Sequence, residues 1–592
     1  CRLSPGQGIE GLSLVPEALK VPGSRRATHP PKNNSPSAAK PSRRRGKDFV
    51  INLALVLGGA LLYTLPFPNP MTQWGWFPLA YVSLVPVFLV VRRTGWIGSV
   101  LWGFLYGFAA YASLNYWLIN FHPLSIFIVP VIYAVYFAVF FPLFKAAALL
   151  FPRYGYLVQA VVWLAYEYFR IQFFLGYAYG IIGYSQYTFW PLLGVAELGG
   201  VWIVSFLVVL PSAWLAWVIG KPREPSISPG DAPAPGNPVE GISVSRIDFV
   251  SSWDEFRLRA RKHYLPAAVY AVFFVGALIY GYVSAVDLEE SPRWRVALVQ
   301  QNVDPWRGGV PTYRRALDIL VRQSDLALRE NPDIVVWSET SFVPSINYHT
   351  RYRTNPESYA LVRELTEYLA DQDVPFVIGN GDGELRRQAD GSLERVDYNA
   401  VLLHDDGEYR GVYRKIHLVP FTEHFPYEAA FPWLHRLLVE NETTFWEAGE
   451  EYTVFEAAGV RFATPICFED TFGYLSRNFV REGAQVIVNL TNDSWSYSVP
   501  AAMQHMAMAV FRAVENRRSV VRSTNGGMTT VIDPNGRITA MLPAFTEDYL
   551  VEEVPVYTER RTLYTAAGDW LAWVFVFGAG TLLMGGVIYR AT

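Results

Sequence analysis

Eight apolar stretches, each near the roughly 20 residues that a helix needs to cross a bilayer, dominate what this chain of 592 residues can become. They fall near 50–66, 74–91, 96–118, 124–151, 156–175, 193–219, 264–286 and 569–590. Lipid offers backbone N–H and C=O groups no partner, so such segments have to be helices. The spacing predicts seven crossings, a long interval, and an eighth. The first two stretches are short, and 124–151 carries Pro130, Pro142 and Lys145, which predict a kink or an early end.

The distribution of Lys and Arg then orients the bundle. The loops near 67–73, 119–123 and 176–192 contain neither residue. The alternate loops hold Arg92 and Arg93, then Lys145 and Arg153, then Lys221, Arg223, Arg246, Arg257, Arg259, Arg261 and Lys262. Positive loops face the cytoplasm, which puts both termini on the cytoplasmic side of the membrane and residues 287–568 on the other side. Residues 1–48, rich in Pro, Ser, Lys and Arg, read as a disordered basic tail. The expected divisions are this tail, a seven-helix region over 49–286 with a flexible cytoplasmic insertion near 220–262, a large extracytoplasmic domain over 287–568, and a last helix over 569–592.

Charged residues make up 17% of the chain, against about 25% in soluble proteins, and the deficit lies in the first half. The net charge of −3 gives no pull toward nucleic acid. There are two cysteines, Cys1 and Cys467. Cys1 lies in the tail, so Cys467 reads as a free thiol.

Residues 293–560 change character. Short Val- and Ile-rich runs at 294–300, 333–338, 374–379, 397–404, 460–466, 485–491, 519–524 and 528–533 alternate with helical patterns at 311–330, 355–371, 470–481 and 502–517. Apolar strands alternating with helices imply an α/β domain with helix-covered sheets. Three motifs carry chemistry. VVWSET places Glu339 directly after a strand, YRKIHLVPFTEHFP holds Lys415 and Glu423, and ATPICFED ends a strand on Cys467 and Glu469. Each has a bland reading alone: a core cysteine, a surface lysine, a carboxylate capping a helix. His505, in QHMAM, has no second His at helical spacing and does not read as a metal ligand.

Taken together, the order Glu, Lys, Cys resembles the nitrilase (carbon-nitrogen hydrolase) superfamily. With the flanking apolar segments it resembles that superfamily's membrane-embedded family, the bacterial apolipoprotein N-acyltransferases. VALVQQN, NLTNDSW and QHMAMAVFRAVENRRSVVRSTNGG add to the likeness, as do LGYAYGIIGYSQY and LGGVW in the first half. The resemblance implies an α-helical transmembrane bundle of about eight helices plus an extracytoplasmic αββα sandwich. It implies Glu339 as general base, Lys415 as oxyanion stabiliser and Cys467 as nucleophile, supported by Glu423, Glu469, Asn399, Trp306 and the backbone N–H of Phe468. It also implies transfer of a phospholipid acyl group through a Cys467 thioester to the S-diacylglyceryl cysteine of an apolipoprotein, with no metal or organic cofactor. A membrane-anchored amidase of the same superfamily is the alternative.

Departures from the family pattern are Phe468 where Tyr is expected, Ser496-Tyr497 after NDSW where Phe-Gly is expected, and a loosely aligned Trp306. The apolar residues Phe421, Phe425, Pro426, Phe431, Pro432, Trp433, Phe445 and Trp446 read either as a membrane-facing or acyl-binding surface or as a small satellite core.

Overall fold

The computed structural model describes residues 41–592 apart from 122–124, 173–175, 223–246, 389–390, 426–427, 429–430, 434–435 and 437–444. The tail over 1–40, most of the 220–262 insertion and Pro426 therefore lie outside the described residues. The first half forms α1 (Pro41–Thr64), α2 (Val85–Arg93), α3 (Trp96–Leu114), α4 (Ser125–Leu150), α5 (Gly155–Phe169), α6 (Val201–Ile219) and α7 (Tyr264–Val283). The expected disorder over 1–48 gives way to helix at Pro41. Arg and Lys are good helix formers, and they extend the apolar span backwards.

Among the described residues, six helices are long and apolar enough to cross a membrane, counting the last one, Trp570–Ala591. Eight were expected. The 74–91 stretch breaks into a 3₁₀ turn at Phe77–Leu79, a short helix at Ala80–Ser83, and α2. Pro78 and Pro86 withhold the N–H groups that a continuous helix would use. Among the described residues of the 156–175 stretch, the helix α5 ends at Phe169. Both pieces are sheathed by the bundle rather than by lipid: eight of the nine residues of α2 are buried. Segments shielded by protein need neither full length nor uniform apolarity. α5 accordingly carries Glu167, which accepts from Trp163 Nε1 at 3.1 Å and from the Ile182 N–H at 2.8 Å. The kink-prone α4 runs unbroken through Pro130 and Pro142.

The second half builds two six-stranded sheets. The strands are β1 (Arg293–Gln300), β2 (Ile334–Trp337), β3 (Phe376–Arg387), β4 (Leu393–Asp405), β5 (Glu408–Arg414), β6 (Val454–Ala457), β7 (Val460–Ala463), β8 (Val486–Thr491), β9 (Ser519–Thr524), β10 (Thr530–Ile532), β11 (Ile538–Met541) and β12 (Asp548–Pro555). One sheet has the order β12-β1-β2-β3-β4-β5, the other β11-β10-β9-β8-β7-β6. Pairs β1/β2, β2/β3, β7/β8 and β8/β9 are parallel, with antiparallel strands outside them. The sheets face each other across a core of Val296, Leu298, Val336, Phe462, Val488 and Val521. Helices α8 (Val310–Leu328) and α9 (Pro356–Ala370) cover the first sheet. Helices α10 (Gly473–Arg481) and α11 (Val499–Asn516) cover the second. This is the expected αββα sandwich. The chain leaves it through α12 (Trp570–Ala591).

α11 lies between two bodies. Every residue from Ala501 to Asn516 is buried, and Met506, Val510 and Val514 share one apolar cluster with Tyr184, Leu193 and Val201 of the bundle. Charges tie the same junction. Arg517 pairs with Glu197 at 2.6 Å, Arg560 reaches Glu197 at 2.8 Å, and the Val201 N–H donates to Glu515 at 3.1 Å.

Candidate active site

Three loops at strand ends supply the charged cluster. Glu339 follows β2, two residues past the buried Trp337. Its backbone lies against Gly379 of β3, where a Cβ would fall 2.1 Å from the Ser338 carbonyl oxygen and 2.7 Å from Glu339 Cα. Lys415 follows β5, its N–H bonded to the Asn399 carbonyl at 2.8 Å. Cys467 opens the 3₁₀ turn Cys467–Thr471 that runs into α10, where a longer helix over 470–481 was expected. Its φ of 50° is left-handed, a region costly for a residue with a Cβ. Such strain persists where the surroundings over-determine it, and it collects at functional sites.

The cluster is tight. Lys415 Nζ lies 2.9 Å from Glu423 Oε1 and 3.5 Å from Glu339 Oε1. Asn399 Nδ2 donates to both carboxylates, at 2.8 Å to Glu339 and 3.1 Å to Glu423. Glu423 is fixed by the Val419 N–H at 2.7 Å. Cys467 is close enough for Glu339 and Lys415 each to act on its thiol. Lys415 is fully buried and Glu339 nearly so.

Burial sets the resting protonation. It pushes the Glu339 carboxyl above the ordinary carboxylate range, and Glu423 adds to this, while Lys415 and the Asn399 bond pull the other way. Burial would pull Lys415 down, but Glu423, Glu339 and Cys467 together hold it above the ordinary lysine value, as a cation. Burial also pushes the Cys467 thiol up, and the negative Glu339 and Asp493 outweigh Lys415. The sulfur therefore rests as a thiol.

Glu469 clamps two loops together. It accepts from the N–H groups of Ile416 (2.8 Å), His417 (2.9 Å) and Ile466 (2.7 Å), and from the Tyr413 hydroxyl (2.8 Å). The segment carrying Lys415 is thus pinned to the segment carrying Cys467. Asn489 supports the turn from below, donating to the carbonyls of Pro465 at 3.1 Å and Cys467 at 3.3 Å. Phe468 is buried against Phe472 and His417.

Trp306 is not brought into this cluster. It is half-exposed, 5.4 Å from the ring of Phe121, which in turn packs on Trp495. With Trp117 against Trp495 and Tyr177 near Phe468, it belongs to an aromatic rim where the bundle meets the α/β domain. Of the apolar loop residues, Phe425 is buried against Phe421 and Phe445, while Phe431 and Trp433 are exposed. Phe425 thus sits in a small local core, while Phe431 and Trp433 lie on the surface. A cavity of about 350 Å³ opens beside the cluster, lined by Trp202, His417, Tyr474, Arg512, Glu515 and Asp569 among others. Cys467 does not line it.

Sequence reasoning missed a second charged group. His505 is held between Asp493 (Nδ1, 2.8 Å) and Asp470 (Nε2, 2.8 Å), and Arg522 pairs with Asp470 and lies 3.5 Å from Asp493. All four are buried. The two carboxylates outweigh burial and Arg522, raising His505 to about 9. NLTNDSW and QHMAM hold Asp493 and His505, but no fixed spacing joins an ion cluster of this kind. The partners of His505 lie 12 and 35 positions away.

Comparison with known proteins adds the family. Residues 295–562 match the Carbon-nitrogen hydrolase family, and residues 59–214 match the Apolipoprotein N-acyltransferase N-terminal domain. Apolipoprotein N-acyltransferase 1 of Treponema denticola is 42% identical over 537 residues, spanning 88% of this chain and 93% of that protein. Its counterpart in Treponema pallidum is 42% identical over 535 residues, spanning 89% and 93%. Among solved structures, an amidase from the nitrilase superfamily of Nesterenkonia is similar at 18% identity over 45% of this chain and 93% of its own, with a TM-score of 0.32. The chain belongs to the apolipoprotein N-acyltransferase family.

Proposed function

We propose that this multi-pass membrane enzyme N-acylates the amino-terminal S-diacylglyceryl cysteine of apolipoproteins, taking the acyl group from a membrane phospholipid through a thioester on Cys467. The observation that carries this reading is the convergence of Glu339, Lys415 and Cys467 at one set of strand ends, with Asn399, Glu423 and Glu469 holding them. Family membership supplies the acceptor. The phospholipid donor is supported by the aromatic rim that faces the bundle.

The first half-reaction begins when Cys467 Sγ attacks the ester carbonyl and Glu339 takes the thiol proton. Lys415 Nζ and the Phe468 N–H face the oxyanion, where losing one donor typically costs about 3–4 kcal/mol. Collapse expels the lysophospholipid alkoxide, which recovers the proton from Glu339. The acceptor's α-amine then attacks the thioester and gives its proton to Glu339. That proton returns to the sulfur as the amide leaves. The Phe468 departure keeps the backbone donor and forgoes only a phenol hydroxyl.

The reading places residues 49–286 and 569–592 as the membrane region and 287–568 as the catalytic domain. The basic loops put that domain on the periplasmic face of the inner membrane, with both termini cytoplasmic. Intact-protein mass spectrometry after incubation with phospholipid alone tests the proposal. An acyl mass on the wild type, absent from Cys467→Ala and discharged by a diacylglyceryl-cysteine peptide, is expected. Discharge by water as fast as by peptide would make the protein a lipid-directed hydrolase, and no adduct would overturn the thioester.

A further inference from the structure

The end of the bundle opposite the catalytic domain carries a second cavity, of about 380 Å³, between the end of α4, the start of α5 and the last turns of α12. Its distance from the chemistry follows from helix lengths. α12 leaves the α/β domain at Trp570 and runs 22 residues, about 33 Å at 1.5 Å per residue. α4 starts just past Asn120 and Phe121, which touch Ser496 and Trp306, and runs 26 residues the other way. Both helices therefore arrive at the far face of the bilayer.

The cavity is an apolar trough with a cationic lip. Leu150, Phe151 and Leu582 form its walls. At Gly586, α12 closes on α4: a Cβ there would lie 3.0 Å from Leu150 Cβ and 3.1 Å from the Phe151 ring. At Gly585 the helix stands off, and a Cβ would meet nothing within 4 Å. The trough is thus open along Gly585. Arg153 lines its mouth, exposed, with its guanidinium 5.1 Å over the Tyr154 ring. Among the described residues, neither Arg153 nor the exposed Arg590 has a carboxylate partner. The basic character continues sideways. Tyr154 packs edge-on to His263 at 6.1 Å, and after burial it is Arg259, Arg153, Arg92 and Lys262 that lower that imidazole. Arg92 and Arg259 are committed to the carbonyls ending α6. Arg153 and Lys262 are not.

We propose that this trough binds one anionic phospholipid of the far leaflet, with an acyl chain along Gly585 and Leu582 and its phosphate on Arg153. An apolar slot alone accepts any acyl chain. Arg153 at its mouth, without a carboxylate partner among the described residues, selects for negative charge, by about fivefold in affinity. The ligand bridges α12 to α4 and α5, so it braces the helix through which the catalytic domain is tethered. The site is separate from the acyl-transfer chemistry and holds whether or not that reading stands.

The test uses the full-length enzyme in nanodiscs of phosphatidylcholine alone or with phosphatidylglycerol. Native mass spectrometry counts retained lipid, and thermal unfolding reads its effect. The wild type is expected to keep one phosphatidylglycerol and to melt several degrees higher in its presence. Arg153→Gln should lower the preference for phosphatidylglycerol about fivefold. Gly585→Leu should abolish retention while leaving melting in pure phosphatidylcholine unchanged, because its side chain enters open space and Leu favours helix over Gly. Equal retention of phosphatidylcholine and phosphatidylglycerol by the wild type would overturn the proposal. So would retention undiminished in Gly585→Leu, or a second copy of the chain occupying the groove.

Discussion

Glu469→Gln separates positioning from chemistry in this site. Glu469 receives four donors and offers none, the pattern of an ionised carboxylate. Glutamine has almost the same shape but only one acceptor oxygen. If that oxygen stays with Ile416 and His417, the amide NH₂ faces the N–H of Ile466, donor against donor. A buried donor left unpaired costs about 1–3 kcal/mol, and each remaining bond loses its charge assistance, about 1 kcal/mol apiece. The total, about 4–6 kcal/mol, exceeds what the junction of two loops can absorb without moving. The contact that yields is the one to Ile466, next to the nucleophile. A displacement of about 1 Å there lowers the rate about 100-fold. The assay is single-turnover acylation of Cys467 by phospholipid, followed by intact mass at timed quenches. The expected result is a rate constant about 100-fold lower with the donor concentration at half-saturation changed less than threefold, since Glu469 does not face the substrate. A rate within threefold of wild type would refute the claim that this carboxylate sets the register of Lys415 against Cys467.

Three other outcomes follow from the geometry. Glu339→Gln should slow acylation by about 10²–10⁴-fold; because burial raises Glu339, the wild-type rate should fall with acid at a pH above the ordinary carboxylate value, a limb that the variant lacks in pH–rate profiles. His505, raised from 6.5 to about 9, contributes stability that is fully present below pH 6.5 and is lost as pH rises through about 9, on the order of 3 kcal/mol in all. Thermal melts of the wild type should decline between pH 6.5 and 9 from this source, and those of His505→Gln should start lower and decline less. Gly379→Ala should cut acylation more than 100-fold, because its Cβ would fall 2.7 Å from Glu339 Cα; an active variant with an unmoved melt would show that β3 has slack there.

The sequence exposed central elements better than peripheral ones. The strands legible in advance are those flanked on both sides, such as β8, whose VIVNLT is buried throughout. The four overlooked strands, β5, β6, β11 and β12, are the four edges of the two sheets. An edge strand is half in solvent and needs no continuous apolar run, as EYRGVYR of β5 illustrates. In the bundle, Pro78 and Pro86 interrupt the 74–91 stretch and α5 is shorter than its apolar run, because both pieces pack inside other helices. Glu339, Lys415 and Cys467 were legible as a set through their order and flanking motifs. The group around His505 was not, since its partners are joined only by folding and an ion cluster reaching the Cys467–Thr471 turn through Asp470 has no fixed spacing. Trp306 was grouped with the charged residues, whereas its place is on the rim.

The burial of α11 makes one helix a member of two cores. Neither the bundle nor the sandwich has a complete interior without it, so the two cannot melt as independent bodies in the manner of domains joined by a linker. A catalytic fragment cut free at its tether would present Met506, Val510 and Val514 to water as a bare apolar strip. Loosening the helices, by detergent or by a bilayer of the wrong thickness, will be felt at His505, whose ring lies 6.2 Å from that of Tyr179, and through it at Asp470 in the turn that begins at Cys467. Enzyme activity in this architecture is therefore also a gauge of how well the surrounding membrane packs.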